Sequence, residues 1–244
     1  LLDRAEARIE GSCLVLHGRT GAGKTHILRG LRQKRSLKGY ETSEGMRRPL
    51  LWVEAPAPCT LRALGDEILT RLDYPTAYSL REHQIWSRVR ANLAAQGVQI
   101  LMIDEAHNML PAETSSDLKT ARKIADTLKA LLVSEEHPIQ IVLSGANMLR
   151  RFVISHPEIQ RRSHCIELSE LKFPRDRQSV LRFLGGLEQT LGFSTPGFTK
   201  ADMPDRFYLA SRGLVGRMAF FAQEAAMIAV SLNDTKITRE YLGE

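Results

Sequence analysis

The stretch Cys13-Leu14-Val15-Leu16-His17-Gly18-Arg19-Thr20-Gly21-Ala22-Gly23-Lys24-Thr25 decides how the rest of this 244-residue chain is read. Cys13 to His17 is a short apolar run of strand length. A glycine-rich turn follows at once, and the segment from Thr25 through Lys34 then has helical spacing. Gly18 to Thr25 fits the phosphate-loop pattern at every fixed position, in the strand-to-helix context that the pattern requires. Gly18, Gly21 and Gly23, with Arg19, Thr20 and Ala22 between them, let backbone N–H groups turn inward around phosphate oxygens. The helix N-terminus opened by Lys24, Thr25 and His26 adds a favourable dipole. Lys24 would reach the β and γ phosphates of ATP, and Thr25 would offer its hydroxyl to Mg²⁺.

Outward from this loop the chain alternates between strands and helices. The expected strands after Cys13–His17 are Leu50–Glu54, Gln99–Ile103, Ile139–Leu143 and Cys165–Leu168. The helices between them are Leu61–Leu72, Arg81–Ala95 and Leu118–Val133. This alternation implies an α/β core with a five-stranded parallel sheet and helices on both faces. After Pro174 the pattern changes: Asp176–Leu191, Arg206–Ser211 and Val215–Leu232 are helical, with no further strand. The expected organisation is a nucleotide-binding core over residues 1–172 and a small helical domain over 173–244.

Ile100-Leu101-Met102-Ile103-Asp104-Glu105 puts two carboxylates at the carboxyl end of a buried strand, where open α/β sheets hold their ligands. Asp104 would hold Mg²⁺ through water, and Glu105 would polarise the water that attacks the γ-phosphate. Leu50–Glu54 lies between the two motifs in sequence, an order that resembles the branch of P-loop ATPases with an extra strand and a catalytic glutamate. At the end of the fourth strand, Ser144 or Asn147 could bond the attacking water or the γ-phosphate, or could equally cap the next helix. Gln160-Arg161-Arg162 precedes the fifth strand, and an arginine there could cross a subunit boundary to the transferring phosphate. Gly213-Leu214-Val215-Gly216-Arg217 opens the last helix, from which Arg217 could fold back onto the nucleotide in cis.

These elements, in this order, resemble an AAA+ ATPase, with its P-loop core followed by a helical lid. Within that superfamily the chain most resembles the TniB/TnsC group of transposition regulators. The likeness lies in His17 to Thr25, Ile103-Asp104-Glu105-Ala106-His107, the Leu118 to Leu132 helix, Gln160-Arg161-Arg162 and Gly213-Leu214-Val215-Gly216-Arg217. The resemblance implies an ATP-dependent homo-oligomer, a ring or helical filament, on double-stranded DNA. It also implies that the oligomer recruits or activates a transposase and links it to a target-selector protein. Ser163 stands where the family often carries an aromatic residue after the finger arginine, so both Arg161 and Arg162 remain candidates. The family's flanking extensions are expected to be short or missing here, as in a trimmed fragment. A helicase or initiator loader, and a signalling scaffold that holds nucleotide as a switch without a DNA role, are the alternative readings.

The formal net charge of +6 makes contact with a polyanion plausible without demanding it. Lys119, Arg122 and Lys123, at helical spacings of three and four, could track DNA phosphates without reading bases. A solvated basic face paired with Asp117 and Asp126 is the competing reading. The three cysteines, Cys13, Cys59 and Cys165, are widely spaced and mostly within apolar runs, which fits reduced, buried thiols. The histidines lack zinc-ligand spacing, no apolar run is long enough to span a bilayer, and nothing near Leu1 reads as a secretion signal. A cytoplasmic location is therefore expected.

Overall fold

The computed structural model describes residues 10–43, 45–74, 80–110, 117–192, 197–235 and 237–242. The first nine residues of the expected core domain and the side chain of Asp117 lie outside the described residues. Contacts divide the chain into two compact units. One comprises the chain up to Gly18 with Ile27–Glu167, and the other comprises Arg19–His26 with the chain from Leu168 onward.

The first unit is built on strands β1 (Cys13–Gly18), β4 (Leu50–Glu54), β5 (Ile100–Asp104), β6 (Gln140–Gly145) and β7 (Ser163–Leu168). Their order across the sheet is β4-β5-β6-β1-β7. The neighbours β4 and β5, β5 and β6, and β6 and β1 pair in parallel, giving the five-stranded parallel sheet expected from the sequence. Helix α1 (Lys24–Arg32) leads from β1 towards β4 at the far edge, while the later connections return across the sheet. Parallel crossovers are right-handed, so this reversal of direction puts helices on opposite faces. β1 and β6 are adjacent, yet the chain leaves them in opposite directions, and at such a switch point open α/β sheets hold ligands beyond the carboxyl ends of the strands.

At the centre of the sheet, burial follows the pattern of strands covered on both faces. Every residue of β5 and β6 is buried, which explains why both read as continuous apolar runs. Gln140, at the start of β6, is fully buried, and its Oε1 accepts from the Ser12 backbone N–H (2.8 Å) and hydroxyl (2.7 Å). A buried polar pair of this kind holds the register in which Cys13 faces Ile141 and His17 faces Gly145. Helices α2 (Leu61–Arg71) and α3 (Glu82–Ala95) pack closely because Gly65 leaves no room: a Cβ there would lie 2.5 Å from Ile85 Cγ2. Thr60 caps α2 by accepting from the Ala63 N–H at 3.1 Å. Helix α4 (Asp117–Leu132) buries Ile124, Ala125, Leu128, Leu131 and Leu132 at the 3.6-residue period.

Several elements were not foreseen from sequence periodicity. A hairpin of β2 (Tyr40–Thr42) and β3 (Gly45–Arg47) forms a separate two-stranded sheet. Its residues are nearly all exposed, so no apolar alternation marks it. Helices α5 (Met148–Ile154) and α6 (Pro157–Gln160) fill the connection from β6 to β7 and are too short for a periodic signal. The cysteine expectation also needs correcting. Cys13 is buried, but Cys59 is half-buried and Cys165 is exposed on the edge strand β7. An apolar residue on an edge strand can face outward, which local composition does not reveal.

The second unit contains α7 (Arg177–Leu191), α8 (Met203–Ser211) and α9 (Val215–Ser231) around a core that includes Val180, Leu184, Phe198, Phe207 and Met218. Phe198 and Phe207 meet edge to face, 5.0 Å between ring centroids. Ala222, Ala225, Ala226 and Ala229 form the buried stripe of α9 and allow its neighbours a close approach. The loop residues Arg19–His26 pack with this unit through the start of α9. The Arg217 N–H donates to the Gly21 carbonyl (3.1 Å). Gly216 is the point of closest approach: a Cβ there would lie 2.5 Å from the Gly21 oxygen and 2.8 Å from the Gly23 nitrogen.

Two outcomes follow from this packing. Gly216→Val must push α9 off the loop, and overpacking of this kind costs about 1–3 kcal/mol; a lowered melting temperature is the expected result. Burial pushes the Cys13 thiol up to about 12 and the Cys59 thiol up to about 11. Thiol labelling of the native protein at mildly alkaline pH should therefore modify Cys165 first and spare Cys13 until the protein unfolds, as peptide mapping would reveal.

Candidate nucleotide site

The loop that follows β1 has the backbone that its sequence requires. Gly21 (φ 83°) and Gly23 (φ 97°) adopt the left-handed region, which costs a residue with a Cβ roughly 1–2 kcal/mol. These glycines let successive N–H groups converge ahead of the helix N-terminus. Lys24 is buried, and its ammonium donates to the Arg19 carbonyl at 3.1 Å, a bond that phosphate oxygens can take over. Arg19 itself makes an ion pair with Glu170. His26 is exposed on the first turn of α1. Arg217 is exposed beside the loop, its guanidinium 5.8 Å from the Phe221 ring centroid, and its Cγ would lie 2.8 Å from a Cβ at Gly21.

In the first unit, the carboxyl ends of β5 and β6 carry the second set of candidates. Asp104 is buried at the end of β5, and its Oδ1 accepts from the Glu105 N–H at 3.0 Å. Glu105 sits in the left-handed conformation (φ 49°, ψ 31°), which is strained for a glutamate and turns the chain sharply out of the strand. A 3-10 turn, Ala106–Met109, follows directly, and Asn108 ties it to the end of β4 by donating to the Ala55 carbonyl at 3.1 Å. His107 Nδ1 lies 3.2 Å from Glu105 Oε2, an ion-pair distance without the alignment of a hydrogen bond. Gly145 is required here, because a Cβ would lie 2.9 Å from His107 Nδ1.

Ser144 and Asn147 have different surroundings. The Ser144 hydroxyl is fully buried and has no hydrogen-bond partner among the described residues. An orphaned buried hydroxyl costs about 1–3 kcal/mol unless a ligand or water answers it. Asn147 does not cap α5 with its side chain; its Oδ1 lies 3.1 Å from the Nδ1 of the buried His17. This contact joins the end of β1 to the turn after β6.

The two candidate finger arginines are also in unlike settings. Arg162 is largely buried; its guanidinium donates to Glu10 Oε2 (2.7 Å), and its carbonyl accepts from the Cys13 N–H (2.8 Å). Arg161 is exposed. Lys119, Arg122 and Lys123 are all exposed on α4. His17, His107, Gly145 and Gly216 belong to the site's framework but were not singled out as such from sequence. The signal for Gly216 was its place in Gly213-Leu214-Val215-Gly216-Arg217; the two histidines had no signal beyond adjacency to the motifs.

The fold is that of ORC and Cdc6 AAA+ proteins. The chain is similar to the Aeropyrum pernix ORC1 protein, solved in complex with DNA, at 20% identity and a TM-score of 0.63, covering 99% of this chain and 60% of that one. It is also similar to the Aeropyrum pernix ORC2 protein in its ADP form, at 15% identity and a TM-score of 0.61, covering 99% and 64%. Cdc6p from Pyrobaculum aerophilum matches at 16% identity and a TM-score of 0.61, covering 94% and 58%. The chain thus spans about three fifths of the length of these solved proteins. A search of curated protein sequences finds no match. The profile of the family described as "TniB: Bacterial TniB protein" matches residues 1–173. With the match running through the phosphate loop, the Asp104-Glu105 turn and all five strands of the sheet, the chain belongs to the bacterial TniB protein family.

Proposed function

We propose that this TniB-family chain is an ATP-hydrolysing regulator of DNA transposition that assembles as a homo-oligomer on double-stranded DNA in the cytoplasm and recruits or activates a transposase. The observation that carries the nucleotide part is the phosphate loop: left-handed Gly21 and Gly23, buried Lys24, and a helix start closed onto the loop at Gly216. The loop by itself fits the phosphates of a nucleotide, because it supplies N–H donors and a buried lysine. Thr25 and Asp104 would hold Mg²⁺. Bound Mg²⁺ would neutralise charge on the phosphates.

The chain's own groups then divide the work. Lys24 and the loop N–H groups bind and orient the phosphates. Glu105 takes a proton from the attacking water. Ser144 or Asn147 orients that water or the γ-phosphate. Arg217 serves as the cis arginine, and an arginine from a neighbouring subunit stabilises the charge that develops on transfer. Of the two candidates, Arg161 is the better supported, because Arg162 is occupied within its own unit. The exposed row Lys119, Arg122 and Lys123 would follow phosphates without reading bases. Assembly is supported by exposed Phe220, Met227 and Val230 on one face of α9, since an apolar stripe of this kind favours a covered state. The family membership favours a transposase and a target selector as partners over the helicase loader or the signalling scaffold.

Particle size by negative-stain microscopy, with duplex DNA and either a non-hydrolysable ATP analogue or ADP, tests the reading as a whole. Rings or filaments confined to the analogue with DNA are expected, and monomers in every condition would sink the proposal. Glu105→Gln should bind ATP like the parent while turnover falls about 100-fold or more, as loss of a general base entails. Arg161→Ala should lower turnover of the assembled protein and leave its melting temperature unchanged. Arg162→Ala should instead lose about 1 kcal/mol of stability with its ion pair, and a denaturant titration beside a turnover assay separates the two.

A further inference from the structure

A cleft of about 920 Å³ lies in the first unit along β4, which is an edge strand of the sheet. Leu50, Trp52 and Glu54 line it from β4. The ladder shows which way their backbone groups point. Ile100 N–H donates to the Pro49 carbonyl and Ala55 N–H to the Asp104 carbonyl, both at 2.9 Å, in the register Leu50 opposite Ile100. The odd-numbered residues therefore spend their N–H and C=O groups on β5. Those of Leu50, Trp52 and Glu54 point out of the free edge, and among the described residues no strand pairs with them.

The cleft is strongly basic. Arg29, Arg32, Lys38, Arg48 and Arg71 line it against one carboxylate, Glu54. Arg48 is answered by Asp73 and Arg71 by Glu67. Arg29 and Lys38 are exposed and have no ion-pair partner among the described residues, and Arg32 lies 5.7 Å over the Trp52 ring. Leu37, Met46, Leu50, Leu51 and Trp52 supply apolar lining, and Gln33 adds a neutral polar group.

We propose that this edge takes an extended acidic segment of a partner protein as a sixth strand, its backbone pairing with Leu50, Trp52 and Glu54 and its carboxylates meeting Arg29, Arg32 and Lys38. A phosphate backbone fits the charge but not the edge, because phosphates only accept and leave the outward carbonyls of β4 unanswered. A peptide strand offers donors and acceptors at the same alternation, and its alternate side chains reach the apolar floor and the basic walls. This site uses none of the nucleotide machinery, so it stands or falls separately from the function proposed above.

The probe is the heptapeptide Glu-Val-Glu-Val-Glu-Val-Glu, followed by fluorescence anisotropy and by amide hydrogen exchange of the whole chain. Three controls accompany it: the same peptide N-methylated at alternate residues, a Lys-for-Glu version, and a single-stranded oligonucleotide of equal charge. Binding should slow exchange at Trp52 and Glu54, weaken about 10-fold or more on N-methylation with charge unchanged, and vanish for the lysine version. Arg29→Glu with Arg32→Glu should weaken it further while the melting temperature holds. Equal binding by the N-methylated peptide would reduce the site to a charge patch. Protection of the same amides by the oligonucleotide, or no binding of the peptide, would overturn the proposal.

Discussion

The parallel pairing of β1 with β6 is the contact on which the first unit depends. It joins two strands that are distant in the chain and whose onward connections leave in opposite directions, the topological switch point at which open α/β sheets hold their ligands. The pairing is pinned at its start by the buried Gln140–Ser12 bonds and at its end by His17 with Asn147. Between these two polar anchors the strands are almost wholly apolar, and composition alone would tolerate a slip in register. A slip of one residue would turn Ser144 and Gly145 away from the positions that the nucleotide reading needs.

Strain and close approach are concentrated around the candidate chemistry. Glu105 holds a left-handed backbone that glutamate disfavours, and His107 packs against Gly145 with no room for a side chain. In the second unit, the phosphate loop meets the start of α9 at Gly216 across a gap that only hydrogen can fill. Such arrangements persist when the surrounding packing over-determines them, and they cluster where geometry must be held for binding or catalysis. The reward is a carboxylate and a lysine whose backbones cannot drift.

Positive charge is spread over more than one surface. Exposed Lys119, Arg122 and Lys123 form a row on α4, whereas the cations of the β4 cleft surround an open strand edge and an aromatic floor. A row of cations on a helix suits a repeating phosphate backbone. A cleft bounded by N–H and C=O groups that no described strand pairs with suits another strand, and the charge around it also discourages copies of the same basic edge from pairing with each other.

The sequence by itself determined the sheet, the helical character of the second unit and the nucleotide motifs. Each rests on local chemistry: buried parallel strands read as apolar runs, amphipathic helices carry a 3.6-residue period, and the loop needs glycine where φ is positive. Only the tertiary structure decided the rest. It grouped Arg19–His26 with the helical unit, exposed Cys165, tied Arg162 to Glu10 while leaving Arg161 open, and gave Asn147 to His17. It also revealed the β2–β3 hairpin and the free edge of β4. These features depend on which residues meet across long separations in the chain, and on which strand ends the sheet, and neither leaves a periodic mark on the residues concerned.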